Sequence, residues 1–249
     1  MSDIVVTDQG PIRVVRMYRP EKKNALTLAM YEAMAAAIEG ADRDAGVRCV
    51  LIAGAPGAFC AGNDLADFLA AASRGGALGG PILRFLYALA KSDKPLIAAV
   101  GGVAVGVGTT MLLHCDHVVA ADDAKFSTPF VSLGLVPEAA SSLIAPRLMG
   151  HARAFSLLVM GKALTAEEAK VSGIVNTVVP AAEVDSQALA AAKEMAALPP
   201  EAVLASRRLM RGSPDEIVAR IDAEAEEFKR RLASPEAQAA FVAFLSCRR

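Results

Sequence analysis

Three stretches of the chain are apolar without alternation: "VRCVLIAG" (Val47–Gly54), "KPLIAAVGG" (Lys94–Gly102) and "HVVAADD" (His117–Asp123). A strand without a polar face has to be covered on both sides, and such strands pair through crossover connections that carry helices. Helical segments lie between them. One runs from about Leu28 to Asp42, with Thr27 placed to cap it; another ends through Ile82 to Ala90. A glycine turn into a short helix occupies "VAVGVGTTMLLHCD". This alternation predicts an α/β fold, and 249 residues are enough to give it a substantial core.

The flanks complete the plan. Ile4–Val6 and Ile12–Met17 read as a hairpin around Asp8-Gln9-Gly10-Pro11. In "LTAEEAKVSGIVNTVVP", Thr165 and Glu168 form a capping box, Gly173 stops the helix, and Ile174 to Val179 is a strand. From about Glu183 the pattern is helical only, with "DEIVARIDAEAEEFKRRLAS" and "PEAQAAFVAFLSC" as amphipathic helices. A boundary near Leu198 divides a mixed core, residues 1–198, from a helical tail, residues 199–249.

Charge and cysteine usage exclude several classes. A net charge of -1 offers no electrostatic footprint for nucleic acid. The chain is 54% hydrophobic, much of it alanine, yet no window reaches the roughly 18 apolar residues of a membrane span. Cys49, Cys60, Cys115 and Cys247 form no C-x-x-C pair, and His114, His117 and His151 lack metal spacing, so no metal site is expected. His114 reads as a satisfied core histidine. The N-terminus lacks the regions of a secretory signal and "FLSCRR" is not an S-K-L address, which makes the cytoplasm the expected compartment.

Chemistry is carried by two glycine loops and one carboxylate. In "FCAGNDL", Gly62 lets the backbone turn as it leaves a strand; in "GVAVGVGTTM", Gly106 and Gly108 do so before a helix. Loops of this kind often only turn the chain. Two that aim N–H groups at one spot make an oxyanion hole. Glu138, in "SLGLVPEAASS", also has two readings. Pro-Glu before Ala-Ala-Ser-Ser is a good helix start with an acid in its first turn, and the same residue can be a base facing a pocket. Its neighbours Phe130, Leu133, Leu135 and Val136 are apolar, an environment that raises a carboxyl pKa.

Taken in order, "RPEKKNAL", "VRCVLIAG", "AFCAGNDL", "KPLIAAVGGVAVGVGTTMLLHCD", "AKFSTPFVSLGLVPEAASS" and "GKALTAEEAKVSGIVNTVV" resemble the crotonase superfamily of enoyl-CoA hydratases and isomerases. The resemblance implies a spiral of ββα turns with a C-terminal helical region that joins subunits into homotrimers or dimers of trimers. It implies an acyl-CoA substrate and no separate cofactor, coenzyme A entering as part of the substrate. The thioester oxygen would lie between the backbone N–H groups of Asn63 and Val107. Lys23, Ala25, Ala61, Gly62, Asp64, Leu65, Thr110 and Phe130 would line the substrate and CoA site. Lys23, with Lys22, is read equally well as a solvated loop charge, and Asp64 as the cap of its own turn. Lys229 would approach the ligand from the tail, whereas Arg207 and Arg208 read as a solvated helix face.

Two departures narrow the reading. Hydratases of this superfamily use two glutamates to add water; the corresponding positions here are Thr110 and Phe130. "LGLVPEAASS" resembles instead the peroxisomal-type Δ3,Δ2-enoyl-CoA isomerases, which implies Glu138 as the single catalytic carboxylate. A double-bond shift needs one base and no water. Two alternatives stay open: a hydratase or other crotonase-type reaction, and a non-catalytic acyl-CoA-binding protein.

Overall fold

The structure, a computed structural model, describes residues 3–64 and 80–246. Strands β1 (Ile4–Gln9) and β2 (Ile12–Met17) form the expected antiparallel hairpin, its first strand reaching Gln9. Helix α1 (Leu28–Arg43) starts where Thr27 accepts a hydrogen bond from the Met30 amide at 3.3 Å. It buries Met30, Tyr31, Met34, Ala35, Ile38 and Ala41, a stripe at helical spacing. That stripe meets α2 (Pro81–Lys91), where the Tyr31 and Phe85 rings pack edge to face at 5.5 Å.

The remaining strands come in pairs. β3 (Cys49–Ala53) is followed by β4 (Ala58–Cys60), β5 (Leu96–Val100) by β6 (Val103–Val105), and β7 (His117–Ala121) by β8 (Lys125–Ser127). The first member of each pair enters a six-stranded sheet, order β1-β2-β3-β5-β7-β10; the second enters a four-stranded sheet, order β4-β6-β8-β9. Here β9 is Leu164–Thr165 and β10 is Thr177–Val179. All pairings among β2, β3, β5, β7 and β10, and among β4, β6 and β8, are parallel. Each turn of the chain thus lays one strand in either sheet, which is the ββα spiral. Strands β3 and β5 are buried along their whole length, as their lack of alternation requires.

Between the two sheets and the tail run α3 (Val107–Thr110), α4 (Ser141–Met149), α5 (His151–Leu158) and α6 (Ala166–Val171). The capping box is present: Thr165 Oγ1 accepts from the Glu168 amide at 3.2 Å and Glu168 Oε2 accepts from the Thr165 amide at 2.8 Å. β10 begins three residues later than the sequence predicts. Ile174 and Val175 are buried in the preceding turn, and the Asn176 side chain takes the Val118 amide at 2.7 Å before the ladder starts. Helix α7 (Val184–Ala197) lies on the six-stranded sheet through small residues: Ala188 and Ala192 are fully buried, and the Cys49 thiol meets the Ala192 carbonyl at 3.5 Å.

Helices α8 (Pro200–Arg211), α9 (Pro214–Leu232) and α10 (Pro235–Ser246) form the tail. They pack back on their own core. Arg147 pairs with Glu216 of α9 at 2.7 Å, and Tyr87 bonds Asp222. A Cβ at Gly134 (φ +70°) would lie 2.7 Å from Ala237 Cα, so α10 closes directly over that turn. Arg207 corrects the solvated-face reading. It is only 8% exposed, with Nε 2.8 Å from Asp116 Oδ2 and Nη1 on the Ser92 carbonyl. A face that is amphipathic by pattern docks here through an arginine, because the Asp116 carboxylate offers a counter-charge and the Ser92 carbonyl an acceptor.

Candidate active site

β4 and β6 are parallel neighbours, with Ala58 opposite Val103 and Cys60 opposite Ala104. The two glycine loops therefore leave from the same end of the smaller sheet. Gly62 has φ +90° and Gly106 φ +55°, both in the left-handed region that glycine enters without a Cβ penalty. Gly108 is required for another reason. A Cβ there would stand 2.7 Å from the Cys60 carbonyl oxygen, so the loops touch backbone to backbone.

The amides of Asn63 and Val107 follow these turns, and neither has an acceptor among the described residues. Asn63 is pinned from both sides: the Leu26 amide donates to Gly62 at 2.7 Å and the Asp64 amide donates to Leu26 at 2.9 Å. Its side-chain Oδ1 accepts from the buried Tyr31 hydroxyl at 2.5 Å. The second loop is tied down by Thr109, whose hydroxyl donates to Ala104 at 2.7 Å.

Glu138 does not start a helix. α4 begins at Ser141, and Ala139 and Ala140 ahead of it have φ +59° and +55°. This left-handed turn aims the Glu138 carboxyl inward, leaving it 5% exposed. Thr110 Oγ1, one turn into the segment that Val107 opens, donates to Glu138 Oε1 at 2.5 Å. His114, four residues on, holds the next carbonyl: Nε2 lies 2.8 Å from the Ala139 oxygen. Burial pushes His114 down to about 4, so the ring is neutral. The carbonyl only accepts, which puts the proton on Nε2 and leaves Nδ1, which has no partner among the described residues, as the bare nitrogen.

Burial is also the main reason the Glu138 pKa is raised from 4.5 to about 8; the Thr110 hydrogen bond pulls it back and the charge of Glu224 pushes it up. The apolar surroundings seen in the sequence point the same way. The Tyr31 hydroxyl and the Cys60 thiol next to it are pushed up chiefly by burial, with the Glu138 charge adding to each; Cys60 reaches about 12. Phe130 is buried with its ring edge 4.0 Å from where a Gly106 Cβ would be. An aromatic ring thus stands beside the second loop.

The structure gathers the expected CoA-lining residues around one knot. The Ala61 amide donates to the Lys23 carbonyl at 2.9 Å, and Arg19 bonds both the Ala25 carbonyl, at 2.9 Å, and Asp64 Oδ2, at 2.8 Å. Lys23 is exposed, Asp64 is paired rather than poised as a base, and Lys229 is exposed on α9. Leu65 and most of the segment that follows lie outside the described residues. Sequence reasoning missed Arg19, Tyr31, Asn24 and Glu224. Asn24 carried a signal: a polar residue in "KKNAL", it is fully buried at φ +55° with Nδ2 on the Ala58 and Phe59 carbonyls at 2.8 and 3.1 Å. Nothing local marked the others.

Two unengaged amides at one sheet end and one buried carboxyl of raised pKa are the parts needed to remove a proton next to a carbonyl and stabilise the resulting enolate. A family model described as enoyl-CoA hydratase/isomerase matches residues 7–249. Enoyl-CoA delta isomerase 2 of Rattus norvegicus is 39% identical over 217 residues, 86% of this chain and 55% of that protein. A probable enoyl-CoA hydratase of Rhizobium meliloti is 31% identical over 96% of this chain and 95% of its own length. Among solved structures, OdaA of Pseudomonas aeruginosa superposes with a TM-score of 0.93 at 44% identity, covering 98% of this chain and 99% of that one. The chain spans little more than half the length of the rat relative. With the fold, the loops and these matches together, the chain belongs to the enoyl-CoA hydratase/isomerase family, in the crotonase superfamily and near its enoyl-CoA isomerases.

Proposed function

We propose that this protein moves a carbon–carbon double bond in an acyl-CoA, converting a 3-enoyl-CoA to the 2-enoyl isomer. The thioester oxygen is held by the Asn63 and Val107 amides. Glu138 removes a proton from C2 and the same carboxyl returns it at C4. Lys23, Ala25, Ala61, Gly62 and Asp64 form the coenzyme A side of the site, and Thr110 and Phe130 border the reacting carbons. No separate cofactor takes part.

One observation carries this reading: Glu138 is the buried carboxylate that Thr110 ties to the second glycine loop, and the two positions that would hold water-activating glutamates are Thr110 and Phe130. Hydration needs a positioned water and an acid–base pair; isomerisation needs one group that takes and gives the same proton. A pKa of about 8 suits that exchange, since a base near the working pH combines adequate strength with an available ionised form. The enolate oxygen still has to be stabilised. Losing one such donor costs about 2.7–4 kcal/mol in subtilisin, which sets the scale for each amide.

The test is a comparison of two substrates on the wild-type protein. Rapid isomerisation of 3-hexenoyl-CoA with little hydration of crotonyl-CoA is expected. Efficient crotonyl-CoA hydration that survives Glu138→Ala would overturn the assignment, and tight acyl-CoA binding without turnover of either would favour a binding protein.

A further inference from the structure

We infer that Glu224, on the tail helix α9, is a positioning residue for Glu138: its carboxylate holds the Glu138–Ala139–Ala140 turn in place and sets a negative charge behind the base. The inference rests on the proposed role of Glu138.

The turn needs an outside support. Two successive alanines in the left-handed region are conformations that a Cβ opposes. The residue before α4 is Ala140, which has no side chain to cap the first amides of that helix. Glu224 does this from 84 positions along the chain: Oε2 accepts from the Ala140 amide at 2.7 Å, and Oε1 accepts from the Ser142 amide at 3.0 Å and the Ser142 hydroxyl at 2.5 Å. With His114 on the Ala139 carbonyl, the turn is gripped on both sides.

A cap alone does not require an ionised acid in the interior. Glu224 is 7% exposed, and among the described residues it makes no ion pair within 4.0 Å. Arg220, one turn earlier on α9, donates to Ser142 Oγ at 3.2 Å and acts on Glu224 through its charge. Burial raises the Glu224 pKa, and the three donors from Ser142 and Ala140, with the charge of Arg220, pull it back toward the carboxylate form. Among the described residues, the groups around Glu138 from the other elements are Thr110 and His114 after the second loop, Tyr31 on α1 and Cys60 on β4. Thr110 does not ionise, and the other three are neutral at working pH. Among the described residues Glu224 is the group whose charge acts on Glu138, and like charge favours the protonated form of Glu138. Its removal makes Glu138 a weaker base that ionises at lower pH.

The test is a carboxyl 13C NMR titration of the whole protein labelled at glutamate, with Glu138→Gln to assign the Glu138 signal. Glu224→Gln keeps the shape and an acceptor for the Ala140 amide while removing the charge. The Glu138 titration is expected to move down by roughly one pH unit from the wild-type value. The acidic limb of kcat/KM for 3-hexenoyl-CoA should move with it. A second variant, Glu224→Ala with Ala140→Gly, replaces the strained alanine by a residue that takes φ +55° freely, so it folds even if the glutamine variant does not, and shows the same shift. An unchanged Glu138 titration in either folded variant overturns the inference, leaving Glu224 as a structural cap. Because the titration is read without substrate, it is decided separately from the isomerase assignment.

Discussion

Replacing Glu138 by glutamine should stabilise the protein, and only above a defined pH. A carboxyl whose folded pKa is raised holds its proton more tightly in the native state than in the unfolded chain. As pH rises through the window from 4.5 to about 8, the unfolded chain loses the proton first, so folding stability falls across that interval. Below it nothing is lost; above it the full cost is present. At about 1.4 kcal/mol per pKa unit, a rise from 4.5 to about 8 corresponds to a cost of the order of 5 kcal/mol at pH 9. Glutamine stays neutral and still accepts from Thr110 Oγ1, so the variant escapes that cost. For a chain of this length, about 2–4 °C per kcal/mol gives a Tm gain of roughly 10–20 °C at pH 9. Thermal scans of both proteins from pH 5 to pH 9 measure it. The two Tm values should meet near pH 5 and separate steadily above it. A constant offset at every pH, or a wild type that is more stable at pH 9, would refute the claim that burial of this carboxyl sets its pKa.

Other substitutions probe the surrounding geometry. Thr110→Val removes a hydrogen bond to the ionised form of Glu138, worth about 1.5–3 kcal/mol, so the acidic limb of the pH–rate profile should move up by about 1–2 units. An unmoved limb would mean that Thr110 does not hold the carboxylate. Gly108→Ala drives a Cβ against the Cys60 carbonyl and should cost about 1–3 kcal/mol or more in urea unfolding, with loss of activity as the loops part. Arg207→Ala removes the ion-pair partner of Asp116, which keeps only the Leu96 amide, and the guanidinium donor to the Ser92 carbonyl, and should destabilise by about 3–5 kcal/mol. A loss below 0.5 kcal/mol there, by the same unfolding assay, would return Arg207 to the solvated class.

The fold was legible where local chemistry and packing agree. Unalternating strands such as "KPLIAAVGG" have only one use, and Thr27, Gly173 and the Thr165–Glu168 pair mark ends by hydrogen bonds within a few residues. The loop glycines were legible for the same reason, since a turn that excludes Cβ leaves a trace in the sequence. The turn at Glu138 was not. Alanine prefers the right-handed helix, and Pro-Glu-Ala-Ala-Ser-Ser reads as a helix start until Glu224 arrives from α9 to hold the left-handed alternative. Arg207 was misread on similar grounds, because its partners Asp116 and Ser92 are far away in sequence. Arg19 and Tyr31 gave no sign of their contacts with Asp64 and Asn63, which exist only once the spiral has closed.

The most direct measurement is the rate at which Glu138→Gln converts 3-hexenoyl-CoA to its 2-enoyl isomer, beside wild type at one pH and with folding checked. General acid–base catalysis by one group supplies about 10²–10⁴-fold, so a loss of at least that order is predicted with acyl-CoA binding retained. Turnover within tenfold of wild type would mean that another group moves the proton.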